Sequence, residues 1–453
     1  SLAAHGVRPC HRAGCIFKRR WDRVVLDEGH YVRNSNTAAY KAVCRLRNDR
    51  YATAAHKWVL SGTPINNGRN DLISLGDWMG LPLLDPAVAN AHILRRTMQD
   101  IVDDDRARDL DGEKKRKLGV FEEERETQIE KKERKTSENE RGALPPGLST
   151  RVVKIPFKYD HEKRIYAAIR DAYGIHDEET AVREQCDDDE TTDDKTSSTT
   201  ETKKKNTDDR RRSMESIMRL RQLCAHSAVL SKGLFLKRNK QRSYGGDVTY
   251  GSLFFFFFCE DDYEEKRDKQ ITKHLLRVIR SVPEQELQRS SKIDHVIDSL
   301  DDYFSKGPMM RALVFCEWRK EIEILRDALR KRLSQARVLT FTGDMSMLEK
   351  AGTVRAFESS PSVSSSLQRV PPHVVMLVQV KTGGTGLNLQ AASKVIITTP
   401  NWNPCNDLQA LCRAYRHGQQ RVVDCERLVI QDTVEEKCLG VQKTKMDCLD
   451  DLF

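Results

Sequence analysis

The sequence predicts an α/β protein of two lobes, each built on a parallel sheet. Three observations carry this. Short apolar runs alternate with helical stretches over residues 21–98, the same rhythm returns over 291–453, and the stretch between them is dominated by charge. Buried strand, crossover helix and buried strand in succession is the order that a parallel sheet imposes. At 453 residues the chain has room for two or three domains, each with its own core. Apolar residues are 38% and charged residues 32%, a balance that fits folded lobes diluted by charged linkers.

The first lobe is expected within residues 1–100. Val24, Val25 and Leu26 read as a short buried strand, and 34–46 as a helix. Trp58, Val59 and Leu60 read as a second strand, and 71–79 as a second helix,.

Residues 101–290 read as linker, inter-lobe helices and insertions. Residues 101–141 are nearly all charge, which points to a solvated helix or a disordered insert before a binding arm. Pattern returns at Leu144, Pro145 and Pro146, with alternation through Val152, Lys154 and Pro156 and an amphipathic helix from His161. It breaks again over 178–212, where Asp187, Asp188, Asp189 and Glu190 give way to Ser/Thr and then to Lys203, Lys204 and Lys205. No core can be built from such residues, so a disordered insertion is expected. The five phenylalanines at 254–258 read equally as a buried strand or as a misread intron, and such a run aggregates if exposed.

The second lobe is expected over 291–453. Leu313, Val314 and Phe315, then 374–378, then Val395, Ile396 and Ile397 are its apolar runs. An amphipathic ending passes through Val434 and Leu439. No repeat at solenoid period is visible.

A net charge of +9 leans mildly towards polyanionic partners,. The longest apolar run, 253–259, is far too short to cross a bilayer,. The twelve cysteines lack framework spacing and read as a reducing compartment,. Cys10, His11 and Cys15 form half of a zinc pattern without a second half, so zinc is not expected. A first residue of Ser, with no secretory signal after it, reads as a cut end or an incomplete gene model,.

Chemistry enters at Asp27 and Glu28, which directly follow the first strand. Ligands of open α/β sheets bind at the carboxyl ends of strands. Magnesium takes one or two carboxylates besides phosphate and water, which suits Asp27, and Glu28 could activate an attacking water. An acidic helix cap is the equal alternative for these two residues alone. Ser61, Gly62, Thr63 and Pro64 follow the next strand; their hydroxyls could bond to that acid, although a plain strand-to-helix turn uses the same residues. Arg413 and Arg416 stand three apart, so a helix would aim both guanidiniums one way. Planar cations suit the charge that develops on a transferring phosphoryl group, while an isolated pair is ordinarily surface decoration. Glycines after the run at 374–380, including Gly384 and Gly386, would let backbone N–H groups approach an anion,.

Eleven blocks stand in order: LDEGH (26–30), SGTPINN (61–67), ILRRT (93–97), LPP (144–146), RLRQLCAH (219–226), SSKI (290–293), VFCEW (314–318), TGDMS (342–346), KTGGTGLNL (381–389), NWNP (401–404) and QALCRAYRHGQQ (409–420). Together they resemble the DEAH box, the SGTP motif and the later blocks of Swi/Snf-type DNA translocases, in the branch of transcription termination factor two and helicase-like transcription factor. The resemblance implies two recombinase-like lobes, ATP and magnesium as cofactors, and double-stranded DNA as partner, with chromatin or the transcription machinery beyond it. It also implies a nuclear setting and no membrane. By the same resemblance Asp27 is the magnesium-side acid, Glu28 the water-activating acid and His30 a coupling residue. Ser61, Gly62 and Thr63 link hydrolysis to lobe movement. Gly384, Gly386 and Asn388 face DNA phosphate or nucleotide, and Trp402 couples the lobes to DNA. Gln409, Arg413 and Arg416 complete the site, the two arginines as fingers.

Five departures stand out. Gly29 replaces the usual Ala of the DEAH box, which is expected only to loosen a helix start by ~1 kcal/mol. Cys412 stands where the family has Asp, and Ser227 where it has Pro. No RING-type cysteine pattern lies between the lobes. The fifth is larger: no G-x-x-x-x-G-K-[ST] string, the phosphate cradle of such enzymes, occurs in the 453 residues,. The first lobe is therefore expected to be incomplete, and the chain as it stands inactive. The expected function is a DNA-dependent ATPase and translocase; the alternative is a truncated or degenerate paralogue that binds DNA or a partner without hydrolysis.

Overall fold

The computed structural model describes residues 21–44, 46, 56–61, 70–94, 147–175, 200–230, 262–359, 373–383, 387–416 and 418–450. The chain divides into two compact units. One comprises 1–119 with 188–192 and 443–453, the other 120–187 with 193–442.

In the first unit β1 (Arg23–Leu26) pairs in parallel with β2 (His56–Val59), Val25 opposite Trp58. Helices α1 (Ala38–Cys44), α2 (Asn70–Met79) and α3 (Pro86–His92) accompany them. Leu72 of α2 packs with Leu83 in a small buried cluster. Lys57 ties the sheet to α2: its Nζ donates to the Trp78 carbonyl at 2.5 Å.

The second unit holds a six-stranded, all-parallel sheet in the order β3-β8-β7-β4-β6-β5. Its strands are β3 (Leu148–Ile155), β4 (Arg311–Cys316), β5 (Ala336–Phe341), β6 (His373–Gln379), β7 (Lys394–Ile397) and β8 (Val423–Ile430). Because side chains alternate along a strand, β4 sends Ala312 and Val314 to one core and Leu313 and Phe315 to the other. β6 divides likewise, Val375 and Leu377 against Met376 and Val378. Burial on both faces is why these strands read as unbroken apolar runs.

One face is covered by α4 (Asp160–Tyr173), α5 (Thr200–Ala225), α6 (Asp262–Arg280), α8 (Ser291–Ser305) and α9 (Arg319–Arg332), through Ile165, Leu220, Leu275, Val296 and Leu325 among others. A short α7 (Glu284–Leu287) precedes α8. The other face is covered by α10 (Met347–Glu358) and α12 (Pro404–Leu411), through Phe357, Ala410 and Leu411. The single turn α11 (Val380–Gly383) follows β6, and α13 (Val434–Asp450) follows β8.

Two boundaries differ from expectation. The sheet is wider than 291–453, since it takes edge strand β3 from the stretch read as linker. Helix α5 begins at Thr200, inside the stretch read as a disordered insertion. The zinc-like residues 10–15, the charge-rich 101–141, 176–199 and the phenylalanine run lie outside the described residues.

The SSKI block is architecture. Ser291 donates its N–H to Glu162 Oε1 of α4 at 3.0 Å. Lys292, 1% exposed, reaches the Thr398 carbonyl at 2.5 Å and Glu435 Oε1 at 2.6 Å. A buried ammonium is tolerable only with such partners, and breaking a pair of this kind costs about 3–5 kcal/mol. Four elements thus meet on two consecutive side chains. No helix among the described residues is long and apolar enough to cross a membrane.

Candidate functional site

In the first unit the acids stand where β1 ends. The ladder continues past the strands, with Leu60 N–H on the Leu26 carbonyl at 2.8 Å and Gly29 N–H on the Leu60 carbonyl at 2.9 Å. Between those bonds the chain must reverse in two residues, and Glu28 adopts φ 50°, ψ 47°. A left-handed non-glycine residue costs roughly 1–3 kcal/mol and collects at functional sites. A short 3-10 turn, Gly29–Val32, follows, and Glu28 makes no side-chain cap to it. Glu28 thus occupies the N-cap position of this turn without capping it through its side chain.

Asp27 is exposed, and its Oδ1 accepts the Glu28 N–H at 2.9 Å. Its Oδ2 has no hydrogen-bond partner among the described residues. A hydrated magnesium ion needs one or two such oxygens, so the donor fits.

His30 is 8% exposed and is the hub of this unit. Its Nδ1 lies 3.3 Å from Glu28 Oε2 and 3.3 Å from Ser61 Oγ. The hydroxyl expected to bond directly to the acid reaches the imidazole instead. Burial holds the His30 pKa below its ordinary value, with Arg33 adding to the depression and Glu28 opposing it. Arg33 donates to the His30 carbonyl at 3.2 Å and lies 3.7 Å from Asp71 Oδ1, fixing the turn against α2. Gly62 and Thr63 lie outside the described residues.

In the second unit the arginines are not on a helix. α12 starts at an Asn403 cap, whose side chain accepts the Cys405 N–H at 3.0 Å, and ends at Leu411 with Cys412 as C-cap. Arg413 and Arg416 lie beyond it in a turn. The reason is tertiary: the Arg413 carbonyl accepts the Leu389 N–H at 3.0 Å instead of continuing a helical ladder. Arg413 is 6% exposed, so it is no surface decoration; Arg416 is half-buried and donates to the Leu387 carbonyl at 3.3 Å.

Gln419, which the sequence reading passed over, staples the assembly. Its Nε2 donates to the carbonyls of Gln390 and Ala392, each at 2.9 Å, and of Ala414 at 3.0 Å. Its Oε1 accepts the N–H groups of Gln420 and Arg421. Gly418 supplies the φ of +92° that the turn requires,. The structure thus brings Asn388, Arg413 and Arg416 to one loop pair. Asn388 is exposed, its Nδ2 on Gln390 Oε1 at 3.4 Å. Gln409 is half-buried on α12 without a hydrogen-bond partner among the described residues. Gly384 and Gly386 lie outside them.

Trp402 is engaged elsewhere. The Arg221 guanidinium stands 5.2 Å from its ring centre and 5.7 Å from that of Trp318, while Nη2 donates to the Pro400 carbonyl at 2.8 Å. Three sequence blocks meet there, and both rings stay partly exposed.

Comparison with known proteins gives two family matches. The family described as "SNF2-related domain" matches residues 10–229, and "Helicase conserved C-terminal domain" matches 291–418. Helicase-like transcription factor of Homo sapiens is 26% identical over 490 residues, covering 94% of this chain and 43% of that protein. Transcription termination factor 2 of Drosophila melanogaster is 24% identical, covering 96% and 42%. TATA-binding protein-associated factor MOT1 of Saccharomyces cerevisiae is 26% identical, covering 95% and 20%. The chain spans less than half the length of these relatives.

Proposed function

We propose, from the premise that this chain belongs to the SNF2-related, Swi/Snf-type helicase-like family, that it is the greater part of an ATP-driven motor acting on double-stranded DNA in the nucleus. The observation that carries the reading is the His30 ring, hydrogen-bonded to Ser61 and 3.3 Å from the Glu28 carboxylate, which joins the DEGH and SGTP blocks in one unit. An acid at a strand end whose orientation is set by a second loop is what hydrolysis coupled to movement requires.

In this reading Asp27 holds the magnesium ion, which supplies positive charge to the phosphates when bound. Glu28 orients an attacking water and takes its proton. His30 presents one nitrogen to two partners, bonding Ser61 and standing beside Glu28, so an exchange of that bond between Ser61 and Glu28 carries the state of the acid to the SGTP turn. Arg413 and Arg416 present guanidinium groups to charge developing on the transferred phosphoryl, and Gln419 holds their turn against 387–392. Asn388 and Trp402 act on the DNA side, with Gln409, Gly62, Thr63, Gly384 and Gly386 in the parts the family assigns them. The relatives' names support work in transcription or chromatin.

The second reading is a DNA- or partner-binding paralogue without hydrolysis. ATP hydrolysis by the full-length protein, with and without duplex DNA, separates the two. Stimulation by duplex supports the motor; DNA binding without turnover supports the paralogue.

A further inference from the structure

After the acids of its first turns (Asp262, Glu264, Glu265 and Asp268), the charged residues that helix α6 presents to solvent from Lys269 onward are all cations. Lys269, Lys273, His274, Arg277 and Arg280 are exposed on it, while Thr272, Leu275, Leu276 and Ile279 are buried. From Lys269 to Val282 the sequence contains no carboxylate. The cations at 269, 273 and 277 follow one another every ~6 Å along the axis, at 1.5 Å per residue.

An ordinary solvated helix face mixes signs, and several cations elsewhere in this unit pair with acids, although the exposed Arg330, Lys331 and Arg337 also lack partners among the described residues. Lys306 pairs with Asp302 at 2.7 Å, Arg319 with Asp344 at 2.8 Å and Lys320 with Glu323 at 3.0 Å. Lys273, His274 and Arg277 have no hydrogen-bond or ion-pair partner among the described residues. Like charges four residues apart weaken a helix, so Lys273 and Arg277 oppose the stability of α6 unless an anion offsets them. On α4, which packs against α6, Lys163 and Arg164 are exposed and also lack partners among the described residues. The exposed acids of α4 are Asp160 and Asp171, near its two ends.

We propose that this face of α6 is an additional contact for the phosphodiester backbone of duplex DNA, separate from the loops at 387–392 and 413–419. It rests on the DNA-acting reading above. The partner is nucleic acid and not an acidic protein because the exposed stripe offers no apolar or aromatic anchor between its cations. Protein interfaces depend on such anchors, whereas phosphate contacts need only positive charge at suitable spacing.

The test is the salt dependence of duplex binding by the full-length protein, wild type against Lys273→Gln/Arg277→Gln. Neutralising two phosphate contacts should weaken binding and make the slope of log K against log salt shallower by about 1.8, at roughly 0.9 per phosphate. Lys273→Gln alone should give about half that change. Lys306→Gln, which removes an acid-paired cation, should leave the slope unchanged. Removing like-charge neighbours should not lower the melting temperature. Equal affinity and slope in wild type and the double variant would overturn the proposal, and is the result expected of a solvated face or of an acidic protein partner. If the wild type itself fails to bind duplex, the DNA-acting reading falls as well, an outcome distinct from binding that ignores α6.

Discussion

Val59 Cγ1 occupies the place that a β-carbon on Gly29 would take. The sequence reading treated this glycine as a slightly looser helix start, but the residue opens a 3-10 turn whose N–H is bonded to the Leu60 carbonyl at 2.9 Å. Two effects therefore compete in Gly29→Ala. Alanine gains ~1 kcal/mol of helix propensity at most, while overpacking a closed site costs about 1–3 kcal/mol. Val59 is β-branched and held in a strand, so it yields poorly and the steric cost should win. Urea unfolding should show Gly29→Ala destabilised by ~1–2 kcal/mol, with part of the loss recovered in Gly29→Ala/Val59→Ala. A neutral or stabilised single variant would mean that Val59 moves aside freely.

The second unit should not fold from residues 291–453, contrary to what its sequence pattern promises. That piece lacks β3 and the helices whose Ile165, Ile169, Leu220, Leu223 and Leu275 cover one face of the sheet. Losing them exposes Val314, Val375 and Leu377 to water and leaves β8 as a bare edge. Residues 147–450 should melt cooperatively as a soluble species, and 291–453 should aggregate or stay molten. A cooperative, monomeric melt of the shorter piece would show that the α4–α6 layer is dispensable.

That reversal marks how far the sequence could be read. The apolar runs that became β4, β6 and β7 were legible because burial on both faces forces continuous hydrophobicity,; β1 read as a buried strand, yet only Val24 is buried in it and Val25 is 49% exposed. β3 was not legible, because it is exposed as far as Lys154 except for the half-buried Val153, and its partner Val423–Ile430 lies some 270 residues away. Asp27, Glu28 and His30 were legible as a motif, but the choice of His30 as Ser61's partner depends on how two loops meet. The arginine spacing suggested a helix because residues three apart share one helix face. The helix ends at Leu411 through the bond from Leu389 to Arg413, a contact with no local signal. Nothing in composition marks Gln419 or Lys292 as buried hubs either.

The unit should also weaken in acid through His226, which is 1% exposed. Its Nδ1 accepts the Ala228 N–H at 3.0 Å, and burial pushes its pKa down to about 4. A depressed imidazole contributes stability above its unfolded pKa near 6.5, and that contribution is lost as pH falls towards 4. By pH 5 the loss should be about 2 kcal/mol. Glu321 acts in the opposite sense: burial raises its carboxyl to about 7, so it weakens the fold as pH rises through 4.5 to 7. The informative quantity is therefore the difference between wild type and His226→Asn in urea melts at pH 7 and 5. The variant should lose less on acidification; parallel losses would remove His226 as the cause.

Arg416 should matter to turnover more than to folding. It is half-buried and, among the described residues, bonds to one carbonyl, that of Leu387, so Arg416→Ala should fold normally. In full-length protein, turnover should fall by ~10³-fold or more, with nucleotide affinity changed much less, because arginine fingers act on the transition state. Unchanged turnover would return Arg416 to an ordinary surface charge. Arg413→Ala is the less clean variant, since removing a buried guanidinium also disturbs packing.

The central claim is that Glu28, held in a left-handed turn beside His30, is the general base of a DNA-stimulated ATPase. The most direct measurement is ATP turnover by full-length protein with saturating duplex DNA, wild type against Glu28→Gln, with nucleotide binding followed in parallel. Removing a positioned base should cost ~10²–10⁴-fold in rate while ATP still binds with nearly wild-type affinity. Stimulated turnover that survives Glu28→Gln would contradict the assignment.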